Sequence, residues 1–206
     1  MANLMFRLGE QVQRAVGQKA VNSKISRQEA MLLAGQACNK VLRDLIWRNK
    51  TEGIETVPYA CFKEYTLGVE YDSLKDSWYA ALPIRTLESL YNNRGIYHVA
   101  PADNPNEMMI PLDRGFLFMF KDLDSFGLED NLGYIPERDR IYLHGATFDA
   151  EYEVFIRVVP DATSLAPDDA IPAPPELEYD IIQTAVQIAL PSVQMPQDVQ
   201  NNNLGN

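Results

Sequence analysis

One stretch decides the first part of the fold: SRQEAMLLAGQACNKVLRDLI, residues 26–46. Ser26 and Glu29 have the spacing of a capping box, in which each side chain satisfies an unpaired backbone N–H of the first helical turn. Behind them, apolar residues recur at steps of three and four and form one stripe along a helix of about six turns. The stripe consists of Ala30, Met31, Leu33, Ala34, Ala37, Cys38, Val41, Leu42, Leu45 and Ile46, and the polar face carries Arg27, Lys40, Arg43 and Arg48.

A second helix is predicted before this one, over residues 3–20. Its apolar residues again fall at helical spacing, and they are Leu4, Leu8, Val12, Ala15 and Val16. The long helix is expected to end within residues 49–53, where Asn, Thr and Gly interrupt the pattern. Residues 1–53 are therefore predicted to form a helical hairpin with a basic outer face.

From Glu55 to Pro160 the apolar period changes to two, the period of half-buried β-strands. Strands are expected near residues 57–61, 65–71, 78–82, 95–99 and 115–120, and the segment 140–144 is expected to pair with 152–158. Turns rich in Asp and Gly separate these segments at the spacing of antiparallel sheets. Residues 54–160 are therefore predicted to form a central antiparallel β-sheet or sandwich.

The composition changes again in residues 161–206. Seven of the 13 prolines lie between Pro160 and Pro196, which predicts a semi-extended linker over residues 160–175. Pro174 and Pro175 are expected to open a short amphipathic helix that Pro191 stops, followed by an extended arm. The apolar stripe of this helix must be buried, either on its own domain or on a neighbouring subunit.

Composition and charge exclude several classes of protein. With 46% hydrophobic residues the chain is not wholly disordered, and two cysteines are too few for a disulfide scaffold. The net charge of −11 argues against nucleic-acid binding over the whole surface. Residues 1–50 hold nine Lys/Arg and three Asp/Glu, whereas the other 156 residues hold nine and 26. This asymmetry indicates either complementary partner surfaces or ordinary solvated charge.

A search for reaction chemistry gives no catalytic residue, metal site or cofactor. The phosphate-binding, dinucleotide-binding, zinc-protease and serine-hydrolase motifs are all absent from the sequence. His98 and His144 lie in predicted strands without a third ligand at diagnostic spacing. Cys38 and Cys61 are interpreted as packed core residues. The acidic run Asp122, Asp124, Glu129 and Asp130 lacks the order of a calcium loop and is interpreted as a solvated loop.

Three segments carry a resemblance to a known group of proteins. They are Leu82-Pro83 followed by LESLYNNRGI (87–96), PELEYDII (175–182) and PQDVQNNN (196–203). With basic N-terminal helices, a central β region and a proline-led C-terminal helix, the chain resembles the head–tail connector proteins of tailed bacteriophages. The similarity is greatest to the adaptor of short-tailed phages and to the ring proteins of crAss-like phages.

The resemblance implies a non-enzymatic virion subunit, made in the host cytoplasm and placed in the phage neck. It implies a homo-oligomeric ring, commonly twelvefold, between the portal and other tail or ring proteins, with no membrane partner. Genome DNA would pass through the ring without sequence-specific binding, and an acidic inner surface suits such a channel because it does not retain phosphates.

We therefore expect an α+β protein whose working parts are interfaces. Arg27, Arg43 and Arg48 are expected to face an acidic partner surface. Further subunit contacts are expected at Tyr91, Asn92, Asn93, Arg94, Ile181, Ile182, Asp198, Asn201, Asn202 and Asn203. Two alternatives remain open: a small metal-dependent hydrolase or binding protein that uses His98 and His144, and an adaptor or assembly protein without a virion role.

Overall fold

The computed structural model describes residues 4–19, 25–53, 57–88, 95–112, 132–145 and 148–193. It confirms the α+β class and divides the chain into two compact units. The first, which we call the helical unit, combines residues 1–58 with residues 165–206. The second, the sheet unit, spans residues 59–164. The first and third of the predicted regions thus belong to one unit, because the C-terminal helix packs on the N-terminal hairpin.

The helical unit contains three α-helices: α1 (Met5–Lys19), α2 (Arg27–Thr51) and α3 (Glu178–Val193). The capping box that begins α2 is present, with the Ser26 side chain accepting from the Glu29 N–H and the Glu29 side chain accepting from the Ser26 N–H. A single 3₁₀ turn, Pro175–Leu177, leads into α3. This helix continues through Pro191 to Val193, two residues past the predicted stop.

Small side chains form the centre of the helical unit. The residues of α2 that are buried include Ala30, Ala34, Gly35, Ala37 and Cys38, whereas its larger apolar residues are mostly half-buried. Small residues allow the backbones of α1 and α3 to approach α2 closely, and a Cβ atom added at Gly9 would lie 2.6 Å from Met31 Cγ. The opposing helices contribute the larger side chains Met5, Leu8, Val12, Val16, Ile181 and Val186.

The proline-rich segment before α3 is fixed to the start of α1. The N–H groups of Met5 and Phe6 donate to the carbonyl oxygens of Asp169 and Pro167, both at 2.9 Å. Leu4 and Ala170 also form an isolated antiparallel bridge. These bonds satisfy N–H groups that the first turn of a helix leaves without an intrahelical acceptor. Residues 167–170 are therefore held on the helical unit rather than serving as a free tether.

The sheet unit contains one seven-stranded sheet in the order β3-β7-β1-β2-β6-β5-β4. Its strands are β1 (Lys63–Asp72), β2 (Ser77–Ala81), β3 (Ile96–Pro101), β4 (Ile110–Pro111), β5 (Gly133–Glu137), β6 (Arg140–His144) and β7 (Glu153–Val158). All pairs are antiparallel except β4 with β5, which are parallel.

The sheet curls because β1 changes partner along its length. Residues 63–68 of β1 pair with β7, and residues 69–72 pair with β2. At the far side, the Met109 N–H donates to the Val99 carbonyl oxygen at 2.8 Å and links the residue before β4 to the edge strand β3. The two edges of the sheet thus meet around one apolar core. Its buried members are Val69, Ala80, Ile96, Val99, Met109, Tyr134, Ile141, Leu143, Phe148, Val154, Ile156 and Val158.

Two predictions for the β region are wrong. Residues 57–61 were expected to begin a strand, but Tyr59–Cys61 form a 3₁₀ turn and the strand begins at Lys63. Segment 140–144 was expected to pair with 152–158, but β6 lies between β2 and β5, and β7 lies between β1 and β3. The apolar run 115–120 and the acidic loop 122–131 lie outside the described residues.

Within the described part of the chain, no helix combines the length and the apolar character that crossing a membrane requires.

Candidate interaction surfaces

The second half of α2 presents a basic surface to solvent. Residues 40–51 contain four Lys/Arg and one acid, Asp44. Lys40, Trp47 and Arg48 are exposed, with 54% of the Trp47 surface accessible to water. Arg43 is half-buried, and its Nε is a buried donor without a hydrogen-bond partner among the residues that the structure describes. We call Lys40, Arg43, Trp47 and Arg48 the basic end of α2.

The outward side of α3 has the opposite charge. Glu176, Tyr179, Asp180, Gln183 and Gln187 recur at helical spacing, opposite the buried side of the helix. Glu176, Asp180 and Gln187 are exposed, and Tyr179 is 69% exposed. The sequence contains no Lys or Arg after Arg157, so α3 itself carries no cation. We call these five residues the acidic face of α3.

The three arginines that the sequence singles out do not form one surface. Arg27 lies at the start of α2, where its guanidinium is 3.7 Å from Glu10 and 5.5 Å from the centre of the Phe6 ring. It therefore interacts with α1 of its own chain. Arg48 is 21 residues further along the helix, or about 30 Å at 1.5 Å per residue. Only Arg43 and Arg48 lie together at the basic end.

Ile181 and Ile182, the two contacts predicted on α3, differ in burial. Ile181 is 1% exposed and packs inside the helical unit, so it does not form part of an outer contact surface. Ile182 is half-buried. The other predicted contacts, Tyr91, Asn92, Asn93, Arg94, Asp198, Asn201, Asn202 and Asn203, lie outside the described residues.

Charged groups on one part of the sheet unit are paired around Arg157. Its Nε donates to Glu64 Oε1 at 2.8 Å, and the Tyr59 hydroxyl donates to Glu64 Oε2 at 2.9 Å. The guanidinium also lies over the Tyr59 and Phe62 rings, 5.7 Å from each centre. Partial desolvation acts to raise the pKa of Glu64, but the bonds from Arg157 and Tyr59 outweigh it, and the pKa is lowered. Glu64 is thus held as a carboxylate.

A second paired cluster joins the end of β1 to residues of β6. The Tyr142 hydroxyl donates to Asp72 Oδ2 at 2.9 Å, and Arg140 lies 3.4 Å from the same oxygen. Lys75 binds Glu137 and lies over the Tyr142 ring, 4.1 Å from its centre. The Tyr142 bond, with backbone N–H donors and Arg140, lowers the pKa of Asp72 from its ordinary value of 3.8. This carboxylate is suited to holding the strand ends together, not to donating a proton near neutral pH.

The histidines occupy separate strands. His98 is in β3 and His144 in β6, with β7, β1 and β2 between them in the sheet order. His98 Nε2 lies 2.8 Å from the Pro105 carbonyl oxygen. The residues that the structure describes contain no group of three or more His, Cys, Asp or Glu side chains able to hold a metal ion.

Both cysteines are buried. Cys38 and Cys61 are not joined in a disulfide, and each has 0% exposure. Burial raises the pKa of Cys61 to about 12, so this thiol stays protonated and unreactive near neutral pH. Their interpretation as packed core residues is confirmed by this burial.

Sequence reasoning missed the exposed aromatic and apolar side chains. Trp47 and Tyr179 were not singled out, nor was Leu74, which is 96% exposed in the turn between β1 and β2. The sequence did contain a signal that Trp47 is exposed. At 100° per residue, Trp47 lies about 20° around the helix from the polar residue Lys40. The exposure of Leu74 could be inferred from its place in the polar turn Asp72–Ser77.

No protein-family model matches this chain, and no curated protein matches it.

Proposed function

We propose that this protein is a structural subunit of the head-to-tail connector of a tailed bacteriophage. It would form a homo-oligomeric ring, commonly twelvefold in the group it resembles, between the portal and other tail or ring proteins. Genome DNA would pass through the ring during ejection without sequence-specific binding.

One observation supports this proposal above the others: the helical unit exposes outer helix surfaces of opposite charge, each with a large aromatic side chain. Trp47 stands among the cations of α2, and Tyr179 stands among the acids of α3. Trp, Tyr and Arg are the residue types that dominate binding energy at protein interfaces. Such surfaces suit a protein that works by assembly.

The charge of the sheet unit fits a channel wall. Residues 59–164 contain nine Lys/Arg and 18 Asp/Glu, a net charge of −9. A surface of this sign repels phosphates, so DNA could move past it without being retained.

Imaging the purified protein by negative-stain electron microscopy tests the proposal. We expect closed rings with rotational symmetry, and a mass by light scattering that is an integral multiple of 23.3 kDa. The ring should also bind the portal protein encoded in the same genome. A chain that is monomeric at every concentration contradicts the proposal.

An assembly protein without a virion role would use the same surfaces. The portal measurement separates the two functions, because rings that bind no portal or tail protein favour the non-virion adaptor.

A further inference from the structure

No ion pair joins the acidic face of α3 to the basic end of α2 among the described residues of one chain. The two helices pack together through their buried sides, which include Ala37, Cys38 and Leu42 on α2 and Ile181 and Ala185 on α3. At 100° per residue, Lys40 and Trp47 lie on the opposite side of α2 from these buried residues, and the acidic face lies on the opposite side of α3. Arg48 lies on the same side of α2 as Ala37, three turns further along, and is exposed there. We therefore look to a second molecule for a contact between the two surfaces.

We infer that the acidic face of α3 in one copy of this protein binds the basic end of α2 in the next copy. The inference rests on the proposed function and specifies which surfaces join neighbouring subunits. Because the two surfaces differ, the contact is heterologous, and each copy retains one unused surface of each kind. Such a contact continues from copy to copy until it closes into a ring.

Charge complementarity supports a second copy as the occupant. Lys40 and Arg48 are exposed on one surface, Glu176 and Asp180 on the other, and none of the four has an ion pair within the part of the chain that the structure describes. An arriving acidic helix would give the cations partners that the described part of their own chain does not provide. Opposite charges placed in this way select the correct partner and orientation.

The aromatic side chains provide the apolar part of the contact. Trp47 stands beside Lys40 and Arg48, and Tyr179 is adjacent in sequence to Asp180. A tryptophan or tyrosine surrounded by charged groups resembles the centre and rim of a protein interface, where the aromatic residue is desolvated and the charges lie outside it.

The acids at the start of α3 can also stabilise the helix itself, and the experiment must distinguish this effect from a contact with another copy. Glu178 and Asp180 lie in the first turn of α3, and Glu176 lies in the 3₁₀ turn just before it, where negative charge interacts favourably with the helix dipole. A loss of assembly after reversing these charges could then come from a weakened helix. The test therefore depends on restoring the contact, which a weakened helix would not allow.

The experiment uses two variants of the full chain. The first, Lys40→Glu with Arg48→Glu, makes the α2 surface acidic, and the second, Glu176→Lys with Asp180→Lys, makes the α3 surface basic. We expect each variant alone to raise the dissociation constant between copies at least about tenfold, measured by analytical ultracentrifugation in 50–150 mM salt.

Mixing the two variants in equal amounts gives the decisive measurement. Each α2 surface then finds an α3 surface of opposite charge on the other variant, so we expect association to return to within about threefold of the wild type. A chain with all four substitutions should recover in the same way. The matched control, Glu151→Lys with Glu153→Lys, alters two exposed acids of the sheet unit by the same charge and should leave association unchanged.

The outcomes separate the contact from the function. Rings that are insensitive to both reversals, or that are weakened without recovery on mixing, overturn this contact and leave the proposed function standing. If mixing restores association but the oligomers stay open and never close, the contact is supported and the proposed ring is contradicted. A wild-type chain that is monomeric at every concentration overturns both.

Discussion

The two units of this protein use their charged side chains differently. In the sheet unit, Arg157 binds Glu64, Arg140 lies beside Asp72, and Lys75 binds Glu137. Cations and anions from different strands, or from a strand and a turn, are thus joined. In the helical unit, by contrast, Lys40 and Arg48 at the basic end of α2 and Glu176 and Asp180 on the acidic face of α3 are exposed to solvent.

The difference separates charges that maintain a fold from charges that remain for a partner. Cross-strand pairs contribute to the register of a sheet, although each adds only about 0.2–1 kcal/mol. Exposed charges without an ion pair add little to the stability of their own unit beyond their interaction with the helix dipole. Because the unpaired charges are grouped by sign on two helices, the helical unit is suited to contacts between molecules. The paired charges of the sheet unit instead stabilise its own fold.

The largest expected effect is on the sheet unit, from Gly95→Ala. Gly95 has a φ of +77°, and an added Cβ would lie 2.8 Å from the Leu87 carbonyl oxygen and 3.0 Å from the Val159 carbonyl oxygen. The substitution strains the backbone by about 1–2 kcal/mol. It also displaces the bonds from Leu87 N–H to Val159 O and from Val159 N–H to Gly95 O. We expect the free energy of unfolding to fall by roughly 4 kcal/mol.

Urea denaturation monitored by the fluorescence of Trp78 measures this change, since Trp78 packs against the sheet core. The measurement is made in a Trp47→Phe background, so that Trp78 is the source of the signal. Gly68→Ala is the matched control, because nothing lies within 4 Å of the added Cβ. Equal effects of the two substitutions would contradict the expected backbone strain.

The next largest expected effect is on the stability of the helical unit. It is tested by substituting two adjacent isoleucines of α3. Ile181 is 1% exposed and Ile182 is half-buried. We expect Ile181→Ala to lower the free energy of unfolding by about 3 kcal/mol, because it leaves a cavity between helices. Ile182→Ala should cost about 1 kcal/mol or less.

Circular dichroism at 222 nm follows this transition, since the three α-helices of the described chain belong to the helical unit. If Ile182→Ala is the more harmful, the side of α3 that packs inward has been misassigned, and with it the acidic face.

The smallest effect is a pH dependence of the sheet unit. Because the pKa of Asp72 is lowered in the folded protein, its stabilising contribution is present above its ordinary value of 3.8 and is lost as the pH falls through the lower folded value. Tyr142→Phe removes the hydroxyl that donates to Asp72. We expect the pKa of Asp72 to rise and the acid-dependent loss of stability to become smaller.

An NMR titration of the Asp72 carboxyl measures the shift, and urea unfolding at several acidic pH values measures the stability. Tyr71→Phe is the control, because the Tyr71 hydroxyl binds Asp76 instead. An Asp72 pKa that is the same in the Tyr142→Phe protein and the wild type would show that the hydroxyl has no electrostatic role.

Local signals in the sequence predicted local structure well. The capping box at Ser26 and the end of α2 near Gly53 are confirmed, because both depend on residues within one helical turn. The 3₁₀ turn at Tyr59–Cys61 was taken for a strand, since three residues after a proline are too few to distinguish a period of two from a turn. Strand β5 was not predicted because Gly133 and Pro136 both lower strand propensity.

Pairing and contacts between distant residues could not be predicted from periodicity. Nothing near Arg140 in sequence indicates that β6 pairs with β2, because that register depends on how the whole sheet curls. The division of the α2 arginines could not be predicted either, because Arg27 interacts with Glu10 and Phe6 only once α1 packs beside it.

The helices of the helical unit are synthesised at separate times. Its helix α3 begins 127 residues after α2 ends, with the sheet unit encoded between them. At a synthesis rate of about 5–20 residues per second, the ribosome needs roughly 6–25 seconds to make this interval. During that period, the sheet unit can fold while the stripes of α1 and α2 still lack the helix that covers them. Because α3 also carries the acidic face, a nascent chain at this stage cannot yet join another copy through it.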